Sequence, residues 1–168
     1  MPDLVFDTCV LSNFALVGHL DILDGLYARR AWVTDFVVFE NLKGIQKGYP
    51  GLSGIPKAVS AGWLRVVQIH DEKDRRVFEQ LSVSLGAGEA SCIAAAKANG
   101  FIFACDDKLA RREAALLGIK LTGTIGILIH AIQSEALSLR EANKILARMR
   151  SFGFHAPVAK ITGPMAIR

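Results

Sequence analysis

The chain has 168 residues, of which 51% are hydrophobic and 21% charged, and a formal net charge of +4. That length and composition fit one ordinary domain with a sizeable core, spanning residues 1–168. No apolar run reaches the ~18 residues of a membrane span, three cysteines without a C-x-x-C spacing indicate neither a disulfide framework nor a zinc site, and the small positive excess suits a polyanionic partner without demanding one.

Residues 4–6 read as a strand, and the run continues Asp7-Thr8-Cys9-Val10-Leu11, so that one carboxylate stands among apolar neighbours. An ionised Asp in such a setting is costly to bury unless something pairs with it. Asp7 is therefore a helix cap or one part of a charged site. Residues 10–26 carry helical spacing, interrupted near Gly18-His19. Their apolar side chains Val10, Leu11, Phe14, Leu16, Leu20, Leu23 and Leu26 exceed what one helix face buries, so core packing, a second copy or another protein has to cover the surplus.

Residues 31–34 form a second expected strand, and residues 36–46 a helix in which Glu40 directly follows Phe36-Val37-Val38-Phe39. The Gly-, Pro- and Ser-rich residues 48–56 read as a loop. Residues 64–69 are a third strand and 72–85 an amphipathic helix. Residues 88–98 make a helix of small side chains that can approach another backbone closely, with Glu89 in its first turn where the helix dipole favours an acid. Residues 101–105 are a fourth strand with Asp106 and Asp107 directly after it; residues 108–117 are a helix closed by Gly118, and 119–122 a fifth strand. Helices over 126–134 and 139–150 follow, and the aperiodic apolar residues 152–158 pack back as an extended arm or dock on a partner, so that 135–168 form a C-terminal helix and arm.

This alternation implies an α/β fold, a mainly parallel sheet with helices on both faces. In such sheets ligands bind outside the carboxyl ends of the strands, near a switch in strand order. Asp7 and the pair Asp106-Asp107 follow two different strands and so reach the same sheet edge. Together with Glu40 and Glu89 they would repel one another unless a cation sat among them. Oxygen ligands, with no His or Cys counted among them, point to Mg²⁺ or Mn²⁺. Such an ion activates water and steadies an in-line displacement at phosphorus.

Each acid also has an ordinary reading: Asp7 and Asp106 as N-caps, Glu40 as a solvated helix residue, Glu89 as a dipole-stabilised one. Cations for a polyanion would come from Lys43, Lys47, Lys108, Arg111 and Arg112, with Lys43 and Arg111 the first candidates for substrate binding. His19, His70, His130 and His155 are scattered, which argues against a metal-free nuclease built on a His pair. His130 reads as a core or interface residue.

With these residues in hand the chain resembles the PIN-domain family, metal-dependent ribonucleases that include the VapC-type toxins of toxin–antitoxin pairs. The resemblance rests on Val5-Phe6-Asp7-Thr8 with Leu11 and Ser12 beyond, on Val37-Val38-Phe39-Glu40, on Leu85-Gly86-Ala87-Gly88-Glu89-Ala90, and on Cys105-Asp106-Asp107-Lys108-Leu109-Ala110-Arg111-Arg112. The stretch Gly118-Ile119-Lys120-Leu121-Thr122-Gly123-Thr124-Ile125-Gly126 is similar to the end of a small free-standing PIN-like branch.

The resemblance implies a three-layer α/β/α sandwich around a parallel sheet of about five strands. It implies Asp7, Glu40, Glu89 and Asp107 as catalytic, metal-binding acids, with Asp106 as a neighbour that shares the metal. Cys105 stands where the family often has Ser or Thr, so Thr8 or Ser12 is expected to supply the missing hydroxyl. The adjacent pair leaves open which acid points inward, and the capping rule favours Asp106 as the helix N-cap and Asp107 as the ligand. If strands one and four are neighbours, as in the family, Cys9 and Cys105 lie close enough for oxidation.

The implied protein is a cytoplasmic endoribonuclease using Mg²⁺ or Mn²⁺, with RNA as substrate, a small cognate antitoxin, a homodimeric state and no membrane. Two other classes remain open from the residues. One is a phosphoryl-transfer or receiver domain using Asp71, although Cys9 stands where a phosphatase of that type has its second Asp. The other is a binding module that kept the fold without the chemistry.

Overall fold

The computed structural model describes residues 2–167. In chain order these residues form β1 (Leu4–Phe6), α1 (Thr8–Leu16), α2 (Leu20–Tyr27), β2 (Ala31–Thr34), α3 (Asp35–Gln46), a 3₁₀ turn (Pro50–Ser53), α4 (Gly54–Ser60), β3 (Leu64–Val67) and α5 (Glu72–Leu81). Then come α6 (Ala87–Asn99), β4 (Ile102–Ala104), α7 (Lys108–Leu116), β5 (Leu121–Thr122), α8 (Thr124–Gln133), α9 (Leu139–Ser151) and α10 (Gly163–Ala166). The strands make one all-parallel five-stranded sheet in the order β3-β2-β1-β4-β5.

All three residues of β1 are buried, because it is the central strand and is covered on both sides. The chain runs outward from β1 through β2 to β3, then crosses back to β4 and continues outward to β5. Right-handed crossovers in these two opposite directions put their helices on opposite faces, which yields the expected α/β/α sandwich. On one face α6 packs across β1, β2 and β4. The direction of travel reverses between β1 and β4, and the carboxyl ends of these two neighbours border the crevice where a parallel sheet binds its ligands.

The early helical region breaks where the sequence says it should, but the break does more than interrupt it. Gly18 adopts φ +76°, and α1 and α2 meet at 120°. Two helices at that angle present two apolar faces to the core instead of one. Val10, Leu11, Phe14 and Leu23 are fully buried, and Leu16, Leu20 and Leu26 pack against them. The apolar surplus that suggested a second copy or another protein is thus covered within the chain.

The loop expected over residues 48–56 is largely helical. Pro50 starts the 3₁₀ turn, α4 follows, and Leu52 and Ile55 are buried beneath α3 and α1. Gly44 permits this contact, since a β-carbon there would lie 2.6 Å from the Leu52 side chain.

In residues 152–158, Phe154 and Ala156 pack against the core, whereas Phe152 is 56% exposed. Asn143 donates from Nδ2 to the Ile161 carbonyl (2.9 Å) and accepts from the Ile161 N–H (2.8 Å), which seats the buried Ile161, while α10 reaches α8. His130 stacks on Tyr27 at 5.8 Å between centroids, in keeping with a core role. No single helix among the described residues is long and apolar enough to cross a membrane.

Candidate active site

Asp7 follows β1 directly, and the sheet sets its neighbours. Phe6 is in register with Ala104, and the Asp7 N–H donates to the Ala104 carbonyl at 3.0 Å, so Asp7 lies level with Cys105 beyond β4. Asp7 holds the N-cap position of α1 with extended backbone, although its side chain makes no regular capping bond. It is 3% exposed. Burial pushes its carboxyl above the usual carboxylate range and the charge of Glu40 adds to this, while the Cys9 thiol and the N–H groups of Thr8 and Cys9 pull it back.

Glu40 comes from the second turn of α3. The Thr34 hydroxyl at the end of β2 caps that helix by accepting from the Val37 N–H, so strand and helix join without a loop and Glu40 is carried back over the sheet edge. Its carboxylate accepts the Thr8 hydroxyl on Oε2 and the Gly88 N–H on Oε1 at 3.1 Å. Thr8 therefore offers the hydroxyl that Cys105 cannot. Ser12, one turn further along α1, is half-buried. Gly88 is what lets α6 come this near, for a β-carbon there would lie 2.4 Å from Glu40 Oε2.

Glu89 opens α6 and reaches back to the Gly86 N–H at 3.2 Å, so the ordinary first-turn role is also present. Burial raises its carboxyl, and the negative charges of Asp7, Asp107 and Glu40 raise it further. Acids from β1, α3, α6 and the β4–α7 junction thus share one field at the carboxyl edge of the sheet.

The Asp106-Asp107 pair is arranged differently from the expectation. Asp107, not Asp106, caps α7, with Oδ1 accepting the Ala110 N–H at 2.9 Å. Asp106 turns toward α8 instead. Its Oδ1 accepts the Thr124 N–H (2.9 Å), and its Oδ2 accepts the Thr124 hydroxyl (2.6 Å) and Asn13 Nδ2 (3.2 Å). The capping rule alone could not separate two adjacent Asp residues, because the nearby N-terminus of α8 is a tertiary neighbour.

Gly123 makes room for this arrangement, since a β-carbon there would lie 2.5 Å from Asp106 Oδ1. Asn13 and Thr124, which carried no expectation from the sequence, are thus part of the scaffold. Asp106→Ala removes the acceptor of both the N–H and the hydroxyl of the fully buried Thr124, leaving it the Asn13 Nδ2 contact at 3.0 Å. It is expected to cost about 2 kcal/mol in urea unfolding, against under ~1 kcal/mol for Asp106→Asn.

Arg111 is tied to the fold by one nitrogen, as Nη1 donates to the carbonyls of Cys105 and Thr122, both at 2.7 Å, and so binds the ends of β4 and β5 together. Lys43 is exposed on α3 one turn from Glu40, its ammonium 4.5 Å from the Phe39 ring centroid. Of the expected rim cations, Lys43 keeps a free approach to a ligand, and Arg111 has a structural duty besides.

The donor set around Asp7 also departs from the all-oxygen expectation. Cys9 Sγ lies 2.8 Å and Cys105 Sγ 3.6 Å from Asp7 Oδ2, so the two thiols reach the same oxygen. The expected proximity of Cys9 and Cys105 is thereby present, with both sulfurs and the Asp7 oxygen within 4.8 Å of one another.

The acids come from four separate elements, and burial and neighbouring carboxylate charge hold Asp7 and Glu89 above their ordinary range. Among the described residues, however, the one trio with ligand atoms within 4.8 Å of one another is Asp7, Cys9 and Cys105, so Glu40, Glu89 and Asp107 share the field of Asp7 without closing on a single point. A family model described as a PIN domain matches residues 3–162. No curated protein matches the chain.

Proposed function

The chain belongs to the PIN-domain family, whose members are generally nucleases that use divalent metals, and from that premise we propose that it is a metal-dependent endoribonuclease. The observation that carries this reading is the shared negative field of Asp7, Glu40, Glu89 and Asp107 at the switch point of the sheet, which a bound cation would relieve. In the proposal these four acids hold Mg²⁺ or Mn²⁺, ions that accept oxygen ligands and keep several waters. When bound, such an ion supplies an activated water and neutralises charge on the scissile phosphate.

The chain's own groups do the rest. Thr8 and the Gly88 N–H orient the Glu40 carboxylate, and the cap bond to Ala110 fixes one oxygen of Asp107 and leaves the other to turn inward. Asp106 holds the α8 end of the site in place. Lys43, beyond the acids, draws in the phosphate backbone that the carboxylates would repel.

The toxin role, a small antitoxin protein as partner, a homodimer and a cytoplasmic location belong to the same proposal. Exposed Phe39 and Leu42 on α3 give such a protein partner an apolar foothold beside the site.

The test is cleavage of single-stranded and structured RNAs by the purified protein and its Glu89→Gln variant in Mn²⁺, Mg²⁺ or EDTA. Cleavage by the wild type that disappears with EDTA and falls at least ~100-fold in the variant supports the reading. Folded protein that neither cleaves nor binds Mn²⁺ would replace it with a binding module.

A further inference from the structure

The two thiols beside Asp7 have no part in a hard-ion site, and their placement is not accidental to one flexible loop. Cys9 sits in the first turn of α1, and Cys105 is the first residue after β4. The β1–β4 register brings them together around Asp7, and Cys105 is further held by the Asp107 N–H at 3.3 Å from its sulfur. Asp7 Oδ2, Cys9 Sγ and Cys105 Sγ lie 2.8 Å and 3.6 Å apart along the two Asp7 contacts, and one ligand atom from each residue lies within 4.8 Å of the others.

Tetrahedral zinc, with Zn–S near 2.3 Å and Zn–O near 2.0–2.2 Å, needs sulfur and oxygen ligands about 3.5–3.8 Å apart. The Cys105 contact already has that length, and the Cys9 contact has to open by about 0.7–1.0 Å, a side-chain adjustment.

We propose that Asp7, Cys9 and Cys105 form a second metal site, one for a thiophilic divalent ion such as Zn²⁺, with its fourth position open to solvent on the half-buried Cys9 side. Thiolate ligands select Zn²⁺ over Mg²⁺, so the site discriminates by softness and not by affinity for charge alone. On binding, each thiol transfers its proton to solvent, two metal–sulfur bonds form and no electrons are exchanged. Because Asp7 belongs to both sets, the thiophilic ion competes with the hard ion for its carboxylate. That consequence for cleavage rests on the nuclease reading, whereas the binding itself does not.

The test uses the reduced, metal-free chain titrated with Co²⁺ as the probe. We expect thiolate-to-cobalt charge-transfer absorption that saturates at one equivalent, is abolished by one equivalent of Zn²⁺ and persists in millimolar Mg²⁺. It survives in Cys92→Ala, whose thiol lies outside the trio, and loses at least half its intensity in Cys9→Ala and in Cys105→Ala.

A measurement on the unsubstituted chain guards against variants that fail to fold. Zn²⁺ at about ten times its Kd should slow alkylation of Cys9 roughly tenfold, read by mass spectrometry of the modified peptide. Absent charge-transfer absorption, equal absorption in all variants, or unchanged Cys9 alkylation would each overturn the site. Cobalt absorption in a protein that cleaves no RNA in any metal would uphold the site and remove the nuclease reading.

Discussion

Asp7→Asn is expected to abolish metal-dependent RNA cleavage, by about 10³-fold or more, and at the same time to make the metal-free protein more stable. The two effects have one cause. Asp7 is 3% exposed, its carboxyl is raised first by burial, and among the described residues no cationic side chain pairs with it. Without metal the charged form is a liability, and an amide of the same shape keeps a carbonyl oxygen for the Cys9 thiol. The expected gain is about 1 kcal/mol, or ~2–4 °C in Tm at this length. With saturating Mn²⁺ the order should invert, because the wild type then gains binding energy that the variant loses.

The pH dependence follows from the same groups. Asp7 and Glu89 hold their protons to higher pH in the folded chain than in the unfolded one, where carboxyls titrate near ~4. The folded state therefore binds more protons in the interval between the two. Their contribution to stability is fully present below the unfolded values and is lost as pH rises through the folded ones. Thermal unfolding in EDTA should show this loss, and Asp7→Asn should flatten it. A variant that unfolds at lower temperature in EDTA than the wild type would mean that the charged carboxylate stabilises the metal-free fold.

Gly88→Ala is expected to lower cleavage about 100-fold while moving Tm by no more than ~3 °C. The new methyl carbon would lie 2.4 Å from Glu40 Oε2 and 2.8 Å from its Cδ, so the carboxylate has to leave its place between Thr8 and α6. Replacing Gly by Ala inside a helix contributes roughly 0.5–1 kcal/mol in favour of folding, which offsets the lost hydrogen bonds of Glu40.

Gly86→Ala is the matched control. It stands two residues away, and its nearest contact would be Glu89 Oε2 at an ordinary 3.7 Å. Measuring kcat and Tm for both variants separates the crowding of Glu40 from any general effect on α6. Equal activity in Gly88→Ala and the wild type would place Glu40 outside the metal-holding set.

Much of this architecture was legible in the residues themselves. Three-residue Leu4–Phe6 and four-residue Ala31–Thr34 stand where their apolar runs place them, because a central parallel strand is buried on both faces and leaves an uninterrupted hydrophobic signature. Asp7, Glu40 and Glu89 were visible as carboxylates in apolar or small-residue settings, where desolvation makes an acid conspicuous. The helix in residues 50–60 was hidden by its Gly and Pro content, which marks turns and helix starts alike.

What only the tertiary structure decided were the relations between residues far apart in the chain. The adjacent Asp106 and Asp107 are chemically identical, and it is the N-terminus of α8 that draws Asp106 away and leaves Asp107 to cap α7. Gly88 reads as one more small residue until Glu40, 48 positions earlier, is seen against it. The closeness of Cys9 and Cys105 was implied by the resemblance through a pairing of strands one and four, but that both sulfurs reach one oxygen of Asp7 is set by the packing beyond β1 and β4. Periodicity and local burial are written into short windows of sequence, but strand order and the close approach of two helices are set by packing across the whole core, and the chemistry at the sheet edge is read from those.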